Sequence, residues 1–544
     1  MSPGRLADTS VISANHQHAR EKVEDYQIEA VVKKFSEVNT NTLSHDALTW
    51  KSKAVRRLAL VIFIQGLSVA AFAIDGNIIG SMPSLPAFRD YFGVDTSGSR
   101  IAIVIAAMSI GNAVASLFQW VSDIIGRRGT AFVGNCILIV GCILQAAAPN
   151  HATLVVGRLI SGAGCSLSAT VGPLYMSEVA PSAYRGLAVG LYCSLYSIGA
   201  IVIAVVLLGG SYMSGDWSWR MPMIFQIGPP LIVAALIYPL TPESPRYLVY
   251  KGQIEKAKQV IALYHTSSES LDDPIVAATV KQIQDSLETV DTRPWDFTEL
   301  FKTRSARYRL FIIFIYSFYQ QCNGTGMLNY YLPRVLELVG ITNTQHQLAV
   351  NVGMTVVSWI STVAGATIID RVTRRFLLLS TLGVFIFFLA LMSVAGGLFE
   401  NGIKQTAMGI WSITLVYLFQ VSNGLLAATL HNIYPNEVLS LSQRAKGMGM
   451  YSFFQNLFGF VMTYGVGELL QKITWKIYFM FIGMNTICFI LTWRFFPEFR
   501  FLTLEEIDYI FETPEVQPVK MSKTLQKTRL QQRREERERQ ENSA

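Results

Sequence analysis

The chain has 544 residues, of which 51% are hydrophobic and only 15% charged, and its mean hydropathy is +0.35. Soluble domains carry roughly 25% charged residues, so the shortfall indicates a surface turned towards lipid, where exposed charge and backbone are penalised. The formal net charge is +7, but no basic residue accompanies an aromatic platform of the kind nucleic-acid modules use, and nucleic acid is excluded as the expected partner.

Residues 1–57 are polar and lack the short apolar core and small-residue cleavage site of a secretory signal, so they read as a tail preceding an uncleaved insertion signal. A spanning helix needs roughly 20 mostly apolar residues. Such runs fall near 58–82, 101–122, 129–148, 153–175, 187–208 and 221–240, and again near 310–336, 347–369, 376–398, 407–430, 447–470 and 475–497. The expected fold is all-α and membrane-embedded: twelve transmembrane helices in two six-helix bundles, 58–240 and 310–497. Residues 241–309 form a polar linker with helical stretches at Ile254–Tyr264 and Ile275–Leu287. The tail 498–544 ends in the charge run Arg529–Gln540, read as solvated, with contact to anionic headgroups as the alternative.

Lys and Arg of short loops set orientation. Arg127 and Arg128, Arg185, Arg371 with Arg374 and Arg375, and Arg444 with Lys446 all share one side with the linker and both tails. The opposite loops are poor in basic residues, so termini and linker are expected in the cytoplasm and the protein in the plasma membrane.

Charged side chains inside the runs are the candidates for function, because each costs roughly 2.5–3.5 kcal/mol at mid-bilayer on insertion scales. Asp75 lies deep in the first run and Arg158 in the fourth. Paired across a cavity, each offsets the other's cost, and a carboxylate beside an arginine is a proton site whose affinity depends on that contact. The two readings are a proton-coupling pair and a structural ion pair. The seventh run holds Gln320, Gln321, Asn323, Gly324, Gly326 and Tyr330. Amides donate and accept, which suits a hydroxylated solute, and the glycines weaken the helix beside a cavity; interhelical polar contacts are the alternative. His431 is a lone histidine with the same two readings. Gly111, Ala115, Gly157, Gly162 and Gly164 permit close helix packing. The six cysteines sit in apolar stretches without metal-ligand spacing and read as small buried hydrophobes. No nucleophile–base pair is visible, so neither an enzyme nor a cofactor or metal is expected.

A charged loop repeats between the halves: Asp123-Ile-Ile-Gly126-Arg127-Arg128 after the second run, and Asp370-Arg371-Val-Thr-Arg374-Arg375 after the eighth. The repeat implies two bundles related by an axis along the membrane normal. Together with Gly157-Arg158, Pro173-Leu-Tyr175-Met-Ser177-Glu178, Arg185-Gly186, Trp219-Arg220-x-Pro222, Pro242-Glu243-Ser244-Pro245-Arg246, Gln320-Gln321, Tyr330-Tyr331, Tyr434-Pro435-x-Glu437, Arg444-Ala-Lys446-Gly447, Phe496-Pro497-Glu498 and Leu504-Glu505-Glu506-Ile507, it carries a resemblance over residues 55–512. The chain resembles the sugar porter family of the major facilitator superfamily, most closely its fungal lactose-permease-like branch.

The resemblance implies alternating access to a central site and proton symport through Asp75 and Arg158. It implies solute binding by Gln320, Gln321, Asn323, Gly326, Tyr330 and Asn432. It implies a cytoplasmic gate of Asp123, Arg127, Arg128, Glu178, Arg185, Glu243, Arg246, Asp370, Arg371, Arg374, Glu437 and Arg444. Cys193, Gly326, Ser358 and Asn432 replace the family's usual cavity residues, which enlarges and re-lines the site. The expected partners are therefore a small polar solute, a mono- or disaccharide first and a polyol, quinate-like acid or secondary metabolite second, with protons and membrane lipid. A non-transporting sugar sensor is the third reading.

Overall fold

The computed structural model describes residues 52–543 except 182–183, 267–268, 289–295, 369–370, 403–404, 429, 441–442, 501, 503 and 513–516. Among the described residues there is no strand. That follows from an apolar solvent, in which a helix satisfies its own backbone within one segment. The first half supplies α1 (Lys53–Ser81), α2 (Ser99–Ser116), α3 (Arg127–Ala146), α4 (His151–Val179), α5 (Arg185–Gly210) and α6 (Gly228–Leu240) with a preceding piece Trp217–Phe225. The second half supplies α7 (Arg304–Cys322), α8 (Thr344–Ile368), α9 (Arg374–Glu400), α10 (Gln405–Ser422), α11 (Arg444–Ile473) and α12 (Ile477–Phe495).

Ten candidate spans among the described residues are long and apolar enough to cross a membrane; one of them, Lys446–Phe495, runs over nearly all of α11 and the whole of α12. The expected seventh run is not among the ten: its helix has 19 residues but opens with Arg304, Arg307 and Arg309 and ends with Gln320 and Gln321, and it breaks at Gly324. Gly324 adopts φ +96°, and the chain continues as short helices Thr325–Tyr330 and Leu332–Glu337. The linker contributes Pro245–Tyr250, Ile254–His265 and Pro274–Glu288, and the C-terminal region Leu504–Glu512 and Pro518–Ser543.

Helix starts are set locally. Ser52 accepts from the Val55 N–H, Asn150 from Thr153 and Thr303 from Ala306, so each supplies an acceptor for an otherwise orphaned donor. Glycine then sets the packing of α4. A Cβ on Gly111 of α2 would lie 2.0 Å from the Leu159 carbonyl oxygen, and one on Gly162 would lie 2.3 Å from that of Met108. Towards α3, a Cβ on Gly164 would meet the Leu138 nitrogen at 2.4 Å and one on Gly141 the Ser161 nitrogen at 2.5 Å. The backbones of α2, α3 and α4 therefore touch directly, the arrangement small residues permit in lipid.

On the face opposite Arg127 and Arg374, the two halves are sealed together. Met82, Leu85, Phe88 and Phe92 bury with Leu332, Val335, Leu336 and Leu470 in one cluster. Thr96 donates to Glu337 at 2.8 Å, Thr344 to the Ser84 carbonyl at 3.1 Å, and the Gly98 N–H to the Gly467 carbonyl at 2.9 Å. Gly80 backs onto the Asn329 carbonyl, 2.6 Å from where a Cβ would stand.

Candidate functional site

Asp75 is a fully buried charge within the membrane runs, its side chain 1% exposed, as is that of Arg158. The Arg158 Nη1 donates to Asp75 Oδ1 at 2.9 Å and to the Asp75 main-chain carbonyl at 2.6 Å. Ser161 Oγ donates to the second carboxylate oxygen at 2.8 Å, and Gln145 Nε2 to the first at 3.2 Å. Gln145 also donates to Ser161 at 3.0 Å, Cys165 Sγ stands 4.0 Å from Oδ2, and Arg158 Nη2 reaches Met108 Sδ at 3.2 Å. Side chains of α3 and α4 thus hold the α1 carboxylate, and α2 touches its arginine partner through Met108.

The glycine contacts explain the convergence. Gly157 and Gly141 bring α3 close enough for Gln145 and Ser161 to meet, since a Cβ on Gly157 would lie 2.9 Å from the Gln145 Cγ. The sequence pointed to Asp75 and Arg158 but missed Ser161, Gln145, Cys165 and Met108. Their signal was present: Ser161 and Cys165 follow Arg158 at i+3 and i+7, one helical face, and Gln145 is one of two amides, with Asn135, in an apolar run.

The seventh-run residues divide. Gln320 Nε2 donates to the Tyr316 hydroxyl at 2.8 Å. Gln321 faces α11 and α2: a Cβ on Gly459 would lie 3.5 Å from both Gln321 Oε1 and Ser109 Oγ. Asn323 is buried, its Oδ1 accepting from the Thr325 N–H at 2.9 Å and its carbonyl from Asn485 at 3.3 Å. Its side chain therefore caps the helix after the break. Gly326 has only the Tyr330 ring within reach, at 3.9 Å, so space lies beside it. His431 pairs with Gln455 at 3.2 Å, an interhelical polar contact. Asn432 is exposed on the helix Leu430–Val438, its carbonyl accepting from Asn436.

The basic face carries the same device twice. Glu243 Oε1 accepts from the N–H groups of Arg127 and Arg128 at 3.1 and 3.2 Å, the first turn of α3. Glu498 accepts from those of Arg374 and Arg375, both at 2.9 Å, the first turn of α9. A carboxylate at a helix N-terminus meets unpaired donors and the positive end of the helix dipole. Gly126 makes room in the first half, at φ +87° with its would-be Cβ 2.4 Å from Glu243 Oε2; Thr373 in the second is extended at φ −71°.

Arg127 also bridges Asp123 at 2.9 Å and Glu178 at 3.0 Å, while Arg374 meets Glu437 at 3.5 Å. Arg128 donates to the Thr241 carbonyl at 2.9 Å. Arg444 lies within the fields of Asp508 and Glu437, and burial lowers its pKa from the ordinary arginine value. Tyr247 donates to the Ile124 carbonyl at 2.8 Å, and burial with the Glu243 carboxylate raises its phenol. Arg185 and Arg371 are exposed and Arg246 half-buried. Asp370 lies outside the described residues.

Known proteins share this architecture. The inward-open conformation of the xylose transporter XylE from Escherichia coli superposes with a TM-score of 0.69, at 18% identity over 84% of this chain and 100% of that one, which establishes the shared fold. The galactose-proton symporter of Escherichia coli K12 is 27% identical, covering 82% of this chain and 93% of that protein. The high-affinity glucose transporter of Kluyveromyces lactis is 26% identical over 84% and 85%, and myo-inositol transporter 2 of Schizosaccharomyces pombe 26% identical over 86% and 84%. The description "Sugar (and other) transporter" matches residues 60–511, and the chain belongs to that family of integral membrane carriers.

Proposed function

We propose that this protein moves a sugar or polyol across the membrane by alternating access, coupled to protons through Asp75. The observation that carries the coupling is the carboxylate itself: a fully buried Asp75 whose charge is balanced by Arg158 and whose oxygens are held by Ser161 and Gln145. Protonation removes the attraction to Arg158, and loss of Arg158 favours protonation, so proton occupancy and helix position are linked. In this reading the basic face, with both termini and the linker, lies in the cytoplasm of a plasma-membrane carrier. Gln320, Gln321 and Tyr330, with the space beside Gly326, hold the hydroxyls of the solute. Asn323 shapes the site by fixing the break in the seventh helix.

A similar protein named as a galactose-proton symporter supports both halves of the proposal. The inositol transporter among the relatives favours a cyclic polyol as the second reading of the solute. Uptake of labelled sugars and polyols into proteoliposomes, with and without an inward proton gradient, tests both. Accumulation above the equilibrium ratio only under the gradient is expected. Equal uptake in both conditions overturns the coupling, and a response to none of the compounds overturns the solute class.

A further inference from the structure

Below Asp75, towards the basic face, polar side chains recur in the interior of the first half. On α1 the positions 61, 65, 68, 71 and 75 share one face, being three or four residues apart. They are Val61, Gln65, Ser68, Ala71 and Asp75. On α4, Ser161, Cys165 and Ser168 repeat the spacing, and on α3 Asn135, Cys142 and Gln145 do so in the opposite sense. All of these side chains are buried, Gln65 at 1% exposure and Asn135, Gln145, Cys142, Cys165 and Ser168 at 0%. Ala71, Cys142 and Cys165 lie together with Met108 and Leu138 in a small apolar cluster, Asn135 Nδ2 donates to Ser68 Oγ at 3.0 Å, and a Cβ on Gly134 would stand 3.0 Å from the Ser168 Cβ. A seam therefore runs from Asp75 and Ser161 to Ser168, Asn135, Ser68 and Gln65, bridged through the apolar cluster only by the weakly polar thiols of Cys142 and Cys165. Ten residues of α1 at about 1.5 Å each make it about 15 Å long, half of a bilayer's hydrocarbon thickness of about 30 Å.

The seam is under-satisfied. Both amide atoms of Gln65, Asn135 Oδ1, Gln145 Oε1 and Arg158 Nε have no hydrogen-bond partner among the described residues. A buried polar atom without a partner costs about 1–3 kcal/mol, and internal water with two to four polar neighbours is the ordinary remedy. Hydroxyls and water in file also pass protons, each site accepting one from behind as it gives one forward, and amides orient the water between them. Beyond Gln65 the seam is closed by Val61 and Leu58, packed with Tyr175, Met176 and Val179.

We propose that this seam binds internal water and conducts the Asp75 proton towards the cytoplasmic side, with Val61 and Leu58 as its apolar plug. The proton leaves the carboxyl for water beside Ser161, is relayed by hydroxyl and water to Gln65, and is released as hydronium when the plug opens. Arg158 is the only charged group facing the carboxyl along this route among the described residues, and its cation drives the proton away. The proposal rests on the coupling reading above and concerns only the exit route.

The test uses the full-length protein in proteoliposomes with a pH indicator. Wild type must show solute-driven proton movement; if it shows none, coupling itself fails and the route with it. Gln65→Leu with Asn135→Leu should slow that movement by about tenfold or more. Exchange of labelled for unlabelled solute, in which the proton stays bound, should remain at the wild-type rate and reports folding. Val61→Asn should instead raise solute-independent proton leak by about tenfold. A double variant with wild-type proton rates overturns the seam, whatever Val61→Asn does. Should the double variant lose exchange too, Ser68→Ala decides by the same comparison.

Discussion

Asp75→Asn isolates the proton function with little change of shape. The side chain keeps its volume and an oxygen for Arg158, while the main-chain carbonyl of residue 75 still accepts from Nη1 at 2.6 Å in the present geometry. Removing one partner of a buried pair generally costs about 3–5 kcal/mol; the retained acceptors place this variant at the lower end, and Asp75→Ala at the upper. The transport effect is larger. At 100 mV and one pH unit, a proton supplies about 2.3 plus about 1.4, or about 3.7 kcal/mol, which supports an accumulation of about 500-fold at one proton per solute. Without a titrating group the ratio falls to one. Two measurements in proteoliposomes separate the terms: uptake under an imposed gradient, and counterflow exchange without one. Loss of accumulation with exchange preserved is expected. If Asp75→Asn still concentrates solute to the wild-type ratio, the proton resides elsewhere and the reasoning fails.

Other substitutions probe the remaining parts. Gly111→Leu should abolish folded yield, because its Cβ alone would sit 2.0 Å from a backbone oxygen of α4 and the overpacking exceeds the usual 1–3 kcal/mol or so; detergent-extracted protein on size-exclusion chromatography reads this. Gly126→Ala should lower thermal stability by about 1–3 kcal/mol, through its positive φ and its collision with Glu243, whereas Thr373→Ala should change little. Glu337→Gln, which removes the charge facing Arg334 at 3.3 Å and Arg89 at 3.8 Å, should weaken the outer seal by about 1 kcal/mol or less, read as faster modification of a cysteine introduced in the cavity from that side. Gln321→Leu should raise the KM for solute by about tenfold with folded yield unchanged, as expected for a lost hydrogen bond of 1–1.5 kcal/mol or so.

The helices were readable because lipid imposes one rule on every residue of a span. Each of the twelve runs from the sequence overlaps a helix, with ends shifted by a few residues where caps such as Asn150 or Thr303 decide them, and the sixth and tenth are each divided into two pieces. The seventh is the instructive departure. Gly324 and Gly326 announced a weak helix, but the restart at Thr325 is held by Asn323 accepting from the Thr325 N–H, which composition does not show. At the Asp75 site the charged residues announced themselves by their cost in lipid. Ser161, Gln145 and Met108 carry no such penalty signal, and only the glycine contacts of α4 make them neighbours. Asn432 illustrates the limit of position-matching: a motif fixes its place on a helix, while its exposure depends on the neighbouring helices.

The backbone contact of α2, α3 and α4 has a mechanical consequence. Helices held apart by long side chains can slide by rotamer changes; helices whose glycines touch carbonyl oxygens have no such slack. These three therefore travel as a slab. Displacement during a transport cycle must then fall outside the slab, and the chain is interrupted for it at Gly324 beyond α7. Asp75, lodged against the slab from α1, sits where moving and unmoving parts of the wall meet.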